Sequence, residues 1–83
     1  MKAIYFAWVR ERIGKTEESL SPPVEVVTVS DLLRWLTARG DGYEAAFADA
    51  APIRAAIDRA HVKHDAPIAG AREIAFFPPM TGG

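Results

Sequence analysis

The chain contains one strongly amphipathic stretch, TVSDLLRWLTARG, at residues 28–40. Thr28 and Asp31 have the spacing of a capping box, in which the side chain of each residue accepts a hydrogen bond from the other's backbone N–H. The large apolar residues follow at three- and four-residue intervals: Leu32, Trp35 and Leu36. This spacing predicts a main helix from Val29 to Arg39 with one apolar face. Gly40 is expected to end it in a left-handed conformation.

The segment before this helix is predicted to contain two strands. Residues 1–9 are apolar in both alternating registers, which is typical of a strand buried on both faces. Residues 10–14 form a charged turn or short helix that ends at its glycine, and residues 15–23 form a polar connection. The β-branched segment Val24–Val27 predicts a second strand, which would make a hairpin with the first.

Two segments after the main helix also have helical spacing. In the first, the residues that face one side are Tyr43, Ala46, Phe47 and Ala50, and residues 49–52 bring this short helix to its end. Residues 53–62 fit a helix as well, because their apolar residues recur every three or four positions and alanine favours helices. The pattern alone therefore favours a helix at residues 53–62.

A final strand is predicted from Arg72 to Phe77, after a turn-rich link at residues 66–70. Its alternation turns Ile74 and Phe76 to the core, and Glu73, Ala75 and Phe77 outward. An outward aromatic residue at the end of a strand suggests a docking surface. We therefore predict that Phe77, together with Phe6 on the first strand, contacts a partner. The alternative is that Phe77 only closes the edge of the core.

Composition and charge exclude several classes of function. With 83 residues, of which 49% are hydrophobic and 25% charged, the chain has the material for one small folded domain. Its net charge of −1 and its dispersed Lys and Arg residues argue against a nucleic-acid-binding surface. No apolar run approaches the roughly 20 residues of a membrane span, and the N-terminal residues lack the basic region, apolar stretch and cleavage site of a signal peptide, so we expect a cytoplasmic protein. The lack of cysteine excludes disulfides, a thiolate nucleophile and cysteine-based zinc sites.

The sequence shows no active site of its own. His61 and His64 lie three positions apart, but no third ligand accompanies them, and two exposed polar residues are the simpler interpretation. We predict no metal site. The serines lie in loop or cap settings without a nucleophile motif, and the glycines do not form a phosphate-binding loop.

The most informative segment is FFPPMTGG, at residues 76–83. The two prolines cannot donate to a sheet and favour an extended backbone, so the chain is expected to leave the domain after Phe77. Residues 78–83 would then form a projecting tail with a reach of at most about 20 Å. Gly82 and Gly83 lack side chains, so they fit a narrow channel and leave the terminal carbonyl accessible. The alternative is an ordinary frayed or truncated end.

Three segments carry a family resemblance: FAWVRE at residues 6–11, the leucines of the main helix, and AFFPPMTGG at residues 75–83. Together they resemble the small subunit of molybdopterin synthase, a ubiquitin-like family of sulfur carriers, over nearly the whole chain. The resemblance implies an α+β, β-grasp fold, in which a mixed sheet wraps around the main helix. It also implies a strand pair at residues 53–62, with a turn at Asp58 and Arg59.

The sequence departs from the family pattern at two places. Ala71 and Arg72 follow Gly70, where the family commonly has an acidic residue. His61 occupies a position that is often a larger apolar residue. Both departures bear on the contacts with partners.

The resemblance further implies a chemistry. A ubiquitin-activator-like adenylating enzyme would use ATP to convert the Gly83 carboxylate to an acyl-adenylate, and a sulfurtransferase would replace the nucleotide with sulfur. The resulting thiocarboxylate would enter the large subunit of molybdopterin synthase, which binds cyclic pyranopterin monophosphate. Two sulfur deliveries would make the dithiolene of molybdopterin, within a heterotetramer. The chain itself would bind no cofactor.

The predicted site comprises the tail and its root. Gly83 carries the sulfur and Gly82 is the narrow neck of the tail. The partner-binding residues are Phe6, Phe77, Pro78, Pro79, Met80 and Thr81, of which Met80 and Thr81 contact the channel.

Three alternatives stay open at this point. The first is a β-grasp sulfur carrier for thiamine thiazole, cysteine or tRNA thiolation, although the FFPP segment favours molybdopterin. The second is a mainly helical interaction module with an inert tail. The third is a small metal-dependent enzyme that uses His61 and His64.

Overall fold

Five short strands form one mixed sheet. The structure, a computed structural model, describes residues 1–79. Its elements are β1 (Lys2–Tyr5), α1 (Ala7–Ile13), β2 (Glu17–Ser19), α2 (Val29–Thr37), α3 (Asp41–Phe47), β3 (Arg54–Ile57), β4 (Ala60–Val62) and β5 (Glu73–Phe77). The strand order is β2-β1-β5-β3-β4, in which β1 and β5 are parallel and the other neighbouring strands are antiparallel. This is the α+β, β-grasp arrangement that the resemblance implied, and the mainly helical alternative is wrong.

One face of the sheet packs against the helices. The register aligns the inward residues of the central strands, which are almost fully buried: Ala3, Tyr5, Ala55, Ile74 and Phe76. They share one hydrophobic core with the buried side chains of α2, which are Val29, Leu32, Leu33 and Leu36. The ring of Phe76 lies at the centre of this core, edge-on to Phe47 at 5.4 Å and stacked on Tyr5 at 6.4 Å between centroids.

The main helix begins as the sequence predicts. Thr28 Oγ1 accepts a hydrogen bond from the Asp31 N–H, and Asp31 Oδ2 accepts one from the Thr28 N–H, both at 3.1 Å. The backbone N–H groups of Val27 and Thr28 lower the pKa of the Asp31 carboxyl. Because this reciprocal cap satisfies backbone donors that the first turn leaves free, it fixes where the helix starts.

The predicted end of the main helix is wrong. α2 ends at Thr37, and Gly40 has an extended backbone with φ of 160° rather than a left-handed one. The carbonyl of Gly40 accepts a hydrogen bond from the Glu44 N–H at 3.0 Å, so this glycine begins α3. The short second helix itself is confirmed, as α3.

The first strand is shorter than predicted. β1 ends at Tyr5, and the chain turns into α1, in which Val9 is fully buried and Ile13 packs beside the core. Ile13 follows Val9 by four positions, so one helical face can bury both. The apolar run that suggested a nine-residue strand therefore joins the end of a strand to the core face of a helix. The predicted stop is confirmed, because Gly14 is left-handed with φ of 84°.

The prediction of a second strand at Val24–Val27 is wrong. The partner of β1 is instead β2, inside the segment predicted as a polar connection. Val24 is 89% exposed, so its β-branched side chain finds no packing there. Strand propensity mostly reflects packing on a half-buried sheet surface, and without that surface it does not decide the structure.

A polar cluster around Glu18 holds β2 in place. The carboxylate of Glu18 accepts hydrogen bonds from the hydroxyls of Tyr5 at 2.8 Å and Tyr43 at 2.6 Å, and from Lys15 Nζ at 3.3 Å. Its side chain is only 11% exposed, and Arg39 lies 3.7 Å away. Burial by itself would raise the pKa of Glu18, but these hydrogen bonds outweigh it and hold the pKa below its ordinary value. Burial, followed by the bond to Glu18, raises the pKa of Tyr5.

Residues 53–62 form the hairpin of β3 and β4 that the resemblance implied, and the helical pattern there was misleading. Asp58 and Arg59 make the turn, with φ of 48° and 72°. Asp58 Oδ1 accepts hydrogen bonds from the backbone N–H groups of Arg72 and Glu73, both at 3.0 Å. Small alanines suit this strand because Ala55 and Ala56 are buried on opposite faces of the sheet. β3 lies between β4 and β5, and its pairing with both strands overrides the helix propensity of its alanines.

The final strand is confirmed as β5, with its buried and half-buried residues alternating as predicted. None of the helices within residues 1–79 is long and apolar enough to cross a membrane.

We expect Glu18→Ala to lower the free energy of unfolding by about 1–3 kcal/mol at pH 7, because the buried hydroxyl of Tyr5 loses its acceptor. Urea denaturation measures the change. Glu17→Ala is the matched control, because Glu17 only makes an exposed ion pair with Lys2, and its effect should be much smaller.

The stabilisation by Glu18 should also depend on pH in one direction. Its pKa is lower in the folded protein than the ordinary value of 4.5, so the ionised form stabilises the fold above pH 4.5. That contribution is lost as the pH falls through the folded-state pKa. The difference between wild type and Glu18→Ala should therefore shrink on acidification, and a constant difference down to pH 3 would contradict this role.

Candidate functional site

The face of the sheet that points away from the helices is apolar at its centre, and we call it the open face. Strand alternation assigns it Ile4 from β1, Ala75 and Phe77 from β5, Ala56 from β3 and His61 from β4. Phe6, predicted on the first strand, instead follows β1 directly as the extended N-cap residue of α1, and it continues the alternation onto the open face. Ile4, Ala75 and Ala56 lie in register across three strands, and His61 continues this row. Such a surface is typical of a protein interface, where an apolar centre is surrounded by polar groups.

Two aromatic residues lie at one end of the open face. Phe77 is the last residue of β5 and is half-buried, whereas its neighbour Phe76 is fully buried. The N–H of Phe6 donates to the Phe76 carbonyl at 3.1 Å, which extends the parallel pairing of β1 and β5 by one residue. Phe6, which is 45% exposed, is thereby brought alongside Phe77. The proposed docking role of both residues stays a prediction.

His61 contacts the Phe77 ring edge to face, with 5.4 Å between the ring centroids. Aromatic rings favour this geometry because the positive edge of one meets the negative face of the other. The imidazole itself is exposed. The departure from the family pattern at His61 therefore puts a polar ring in contact with the aromatic end of the open face.

The predicted tail begins where β5 ends. Phe77 pairs with Arg54, and the half-buried Pro78 and Pro79 that follow belong to no strand. The remaining predicted site residues lie outside the described residues: Met80, Thr81, Gly82 and Gly83. Their roles, and the division of the chain into a body and a tail, stay predictions.

The two histidines have separate environments. His64 Nε2 lies 2.7 Å from the Ile53 carbonyl oxygen, whereas His61 packs on Phe77. Across residues 1–79, no group of three or more His, Cys, Asp or Glu side chains is placed to hold a metal ion.

Part of the open face could not be read from the sequence. Phe6 and Phe77 were predicted as contact residues, but Ile4, Ala56 and the cations Arg54 and Lys63 beside them were not. The alternation along β3 and β4 was the available signal. It became readable only once residues 53–62 were known to be strands.

Comparisons with known proteins, by sequence and by structure, find relatives that agree with one another. A model of the ThiS family matches residues 3–83. The molybdopterin synthase sulfur carrier subunit of Escherichia coli (strain K12) is 34% identical over 83 residues, which cover 100% of this chain and 99% of that protein. The structure is similar to a putative molybdopterin converting factor, subunit 1, from Pyrococcus furiosus, with a TM-score of 0.75, 26% identity and 95% of each chain covered.

A second solved structure supports the fold alone. SAMP1 from Haloferax volcanii has a TM-score of 0.71 and 23% identity, with 100% of this chain and 98% of that chain covered.

The two neighbouring phenylalanines of β5 should differ sharply in their effect on stability. Phe76→Ala removes a ring at the centre of the core and should cost about 3–5 kcal/mol of unfolding free energy. Phe77→Ala should cost about 1 kcal/mol or less, because Phe77 is half-buried on the open face. Chemical denaturation gives both values. Phe76→Leu serves as the core variant if Phe76→Ala does not fold, and equal costs at the two positions would refute the assignment of the faces.

Proposed function

This chain belongs to the ThiS family of sulfur carriers, and on that basis we propose that it carries sulfur as a thiocarboxylate on Gly83 and delivers it within molybdopterin synthase. The observation that carries the proposal is the full-length match to the Escherichia coli molybdopterin synthase sulfur carrier subunit. The match to the family model also runs to Gly83, the last residue of the sequence.

Activation is the first chemical requirement of this role. A carboxylate is a poor electrophile, so a ubiquitin-activator-like enzyme joins the Gly83 carboxylate to the AMP portion of ATP and releases pyrophosphate. A sulfurtransferase then supplies sulfur at the oxidation level of sulfide, which attacks the carbonyl carbon; the new C–S bond forms as the C–O bond to AMP breaks, with no change of oxidation state. The product is a thiocarboxylate, whose sulfur is a better nucleophile than the oxygen it replaces. The use of ATP suits a cytoplasmic location.

The glycines suit the delivery step. Gly82 and Gly83 have no side chains to obstruct a channel, and no Cβ shields the reacting carbonyl. The two prolines after Phe77 have no N–H to pair with a strand and favour an extended backbone. In this proposal Met80 and Thr81 contact the channel walls while the body of the domain stays outside.

The open face supports a docking role at the root of the tail. Phe6 and Phe77 lie side by side where β5 ends, next to Pro78 and Pro79, so a partner that covers them also receives the tail. Large, rigid side chains of this kind commonly anchor protein interfaces. We propose that the large subunit of molybdopterin synthase covers this face. That subunit would bind cyclic pyranopterin monophosphate and supply the catalytic groups.

The chain's own contribution is therefore to carry and present sulfur. It has no cysteine, and the proposed cargo needs none, because the sulfur is bonded to the backbone terminus. Two deliveries would complete the dithiolene. ATP acts in the activating enzyme, and the carrier has no bound cofactor in this proposal.

The mass of the intact protein isolated from cells tests the central step. A fraction of the chains should show one oxygen-for-sulfur exchange, localised by fragmentation to the C-terminal peptide that ends at Gly83. Deletion of Gly83, or addition of one alanine after it, should leave the circular dichroism spectrum unchanged and abolish sulfur transfer. Normal transfer by the extended variant would refute the mechanism.

The same material distinguishes the acceptor. Purified thiocarboxylated chain mixed with the molybdopterin synthase large subunit of the same genome should convert cyclic pyranopterin monophosphate to molybdopterin. A thiocarboxylate that is inert in this reaction, but active in thiazole, cysteine or tRNA thiolation, would assign the chain to a carrier for one of those products.

Binding to the large subunit should depend on Phe77. Phe77→Asp places a charge at the centre of the proposed contact and should weaken binding by more than about 1 kcal/mol. Isothermal titration calorimetry measures the change. Val24→Asp is the matched control, since Val24 is 89% exposed and lies outside the open face. Equal affinities for Phe77→Asp and wild type would return Phe77 to a purely structural role at the edge of the core.

A further inference from the structure

Basic residues line one side of the open face, next to its aromatic end. Arg54 pairs with Phe77 across β3 and β5, and Ala55 pairs with Val62 across β3 and β4. Continuing that register by one residue sets Lys63 beside Arg54. At the end of the sheet where β5 ends, a row of residues therefore runs from Phe6 through Phe77 and Arg54 to Lys63.

Surface geometry supports the same juxtaposition. Arg54 and Lys63 both line one shallow depression in the surface, together with His64. Both side chains are exposed. With His61, which packs on the Phe77 ring, they form what we call the basic flank.

The charge of the basic flank is not neutralised by the residues described. Within residues 1–79, neither Arg54 nor Lys63 makes an ion pair, and Asp65 in the following turn does not reach either of them. The other charges of the open face are paired. Lys2 binds Glu17 at 2.9 Å, and Arg59 lies 3.7 Å from Glu73.

The chain as a whole is slightly acidic, with a net charge of −1, so the basic flank is a local feature. Three exposed acidic residues lie on or just after α3, which packs on the opposite face of the sheet: Asp41, Glu44 and Asp49. Exposed arginines also lie on α1 and α2, so the basic flank is distinguished by its place: within residues 1–79 its two cations lie together without an acidic partner, beside the aromatic end of the open face. A local positive patch of this kind orients an approaching partner and raises the association rate.

We infer that the partner surface which receives the open face presents carboxylates opposite Arg54 and Lys63, beside an apolar socket for Phe6 and Phe77. This rests on the proposed function for the identity of the partner, the large subunit of molybdopterin synthase. Arg54 and Lys63 are two neighbouring cations beside an aromatic patch, in a chain whose net charge is negative. This arrangement matches a partner protein with acidic residues at the rim of its interface. A nucleic acid would need a longer basic track.

The contribution of the basic flank is to the rate of encounter. Charges at the rim of an interface mainly change association, whereas buried apolar anchors mainly change dissociation. The two groups of residues should therefore separate kinetically. Arg54 and Lys63 set how fast and in what orientation the partner arrives, and Phe77 sets how long it stays.

Stopped-flow or surface plasmon resonance kinetics with the purified large subunit test this inference. The wild-type association rate should fall by about tenfold between 50 and 500 mM NaCl, as expected for electrostatic steering. The double variant Arg54→Glu/Lys63→Glu should associate at least about tenfold more slowly at 50 mM NaCl and lose that salt dependence, with little change in dissociation.

The matched control is Arg10→Glu/Arg34→Glu, which changes the net charge equally at exposed positions on α1 and α2, away from the open face. Circular dichroism verifies that both double variants fold. The control should keep the wild-type rate to within about threefold. If the two double variants slow association equally, total charge rather than the basic flank controls encounter, and the inference is overturned.

The remaining outcomes separate the inference from the proposed function. If the wild-type chain binds the large subunit and the Arg54→Glu/Lys63→Glu rate is unchanged, only the inference fails. If the wild-type chain does not bind at all, the proposed function fails and the inference with it. Salt-sensitive binding of a polyuridine oligonucleotide that requires Arg54 and Lys63, with unchanged large-subunit kinetics, would assign the basic flank to nucleic acid and overturn the inference.

Discussion

The parallel pairing of β1 with β5 is the constraint on which both the core and the open face depend. Its register sets Tyr5 opposite Phe76 and, one residue further, Phe6 alongside Phe77. Because side chains alternate along a strand, a slip of one residue would exchange the buried ring of Phe76 for the outward ring of Phe77. The core contacts of Phe76 with Tyr5 and Phe47 oppose that slip. The packing that stabilises the domain therefore also fixes which aromatic residues a partner can reach.

How well each element could be predicted depended on how local its determinants are. α2 followed from its capping box and its apolar spacing, which lie within the helix itself. β2 did not, because Glu18 is held by hydroxyls of Tyr5 and Tyr43, which are 13 and 25 residues away. At residues 53–62 the alanines gave a helical pattern, and only the family resemblance pointed to the correct hairpin. Pairing with a strand on each side outweighs that propensity here.

The same distinction applies to the candidate site. The outward orientation of Phe77 could be read from alternation along one strand, since β5 has a clear inward register of its own. The position of Phe6 beside it could not, because the chain leaves the strand for α1 directly after Phe6. The basic flank depends on two strand pairings at once, from Phe77 to Arg54 and from β3 to β4. Neither pairing could be predicted from the sequence pattern, because the pattern at residues 53–62 indicates a helix.

A carrier whose cargo sits on a glycine end faces a particular problem of selectivity. Two residues without side chains offer a partner little beyond backbone to recognise, so in the proposed function the choice of partner falls to the body of the domain. In the proposed function, the open face would meet that need with two kinds of group. Its aromatic rings would supply contact area and lengthen the lifetime of the complex, and the charges of the basic flank would act over about a Debye length, roughly 8–10 Å at physiological salt. Recognition would then begin before the tail is engaged. The tail then needs only to be narrow and chemically accessible, which is what glycine provides.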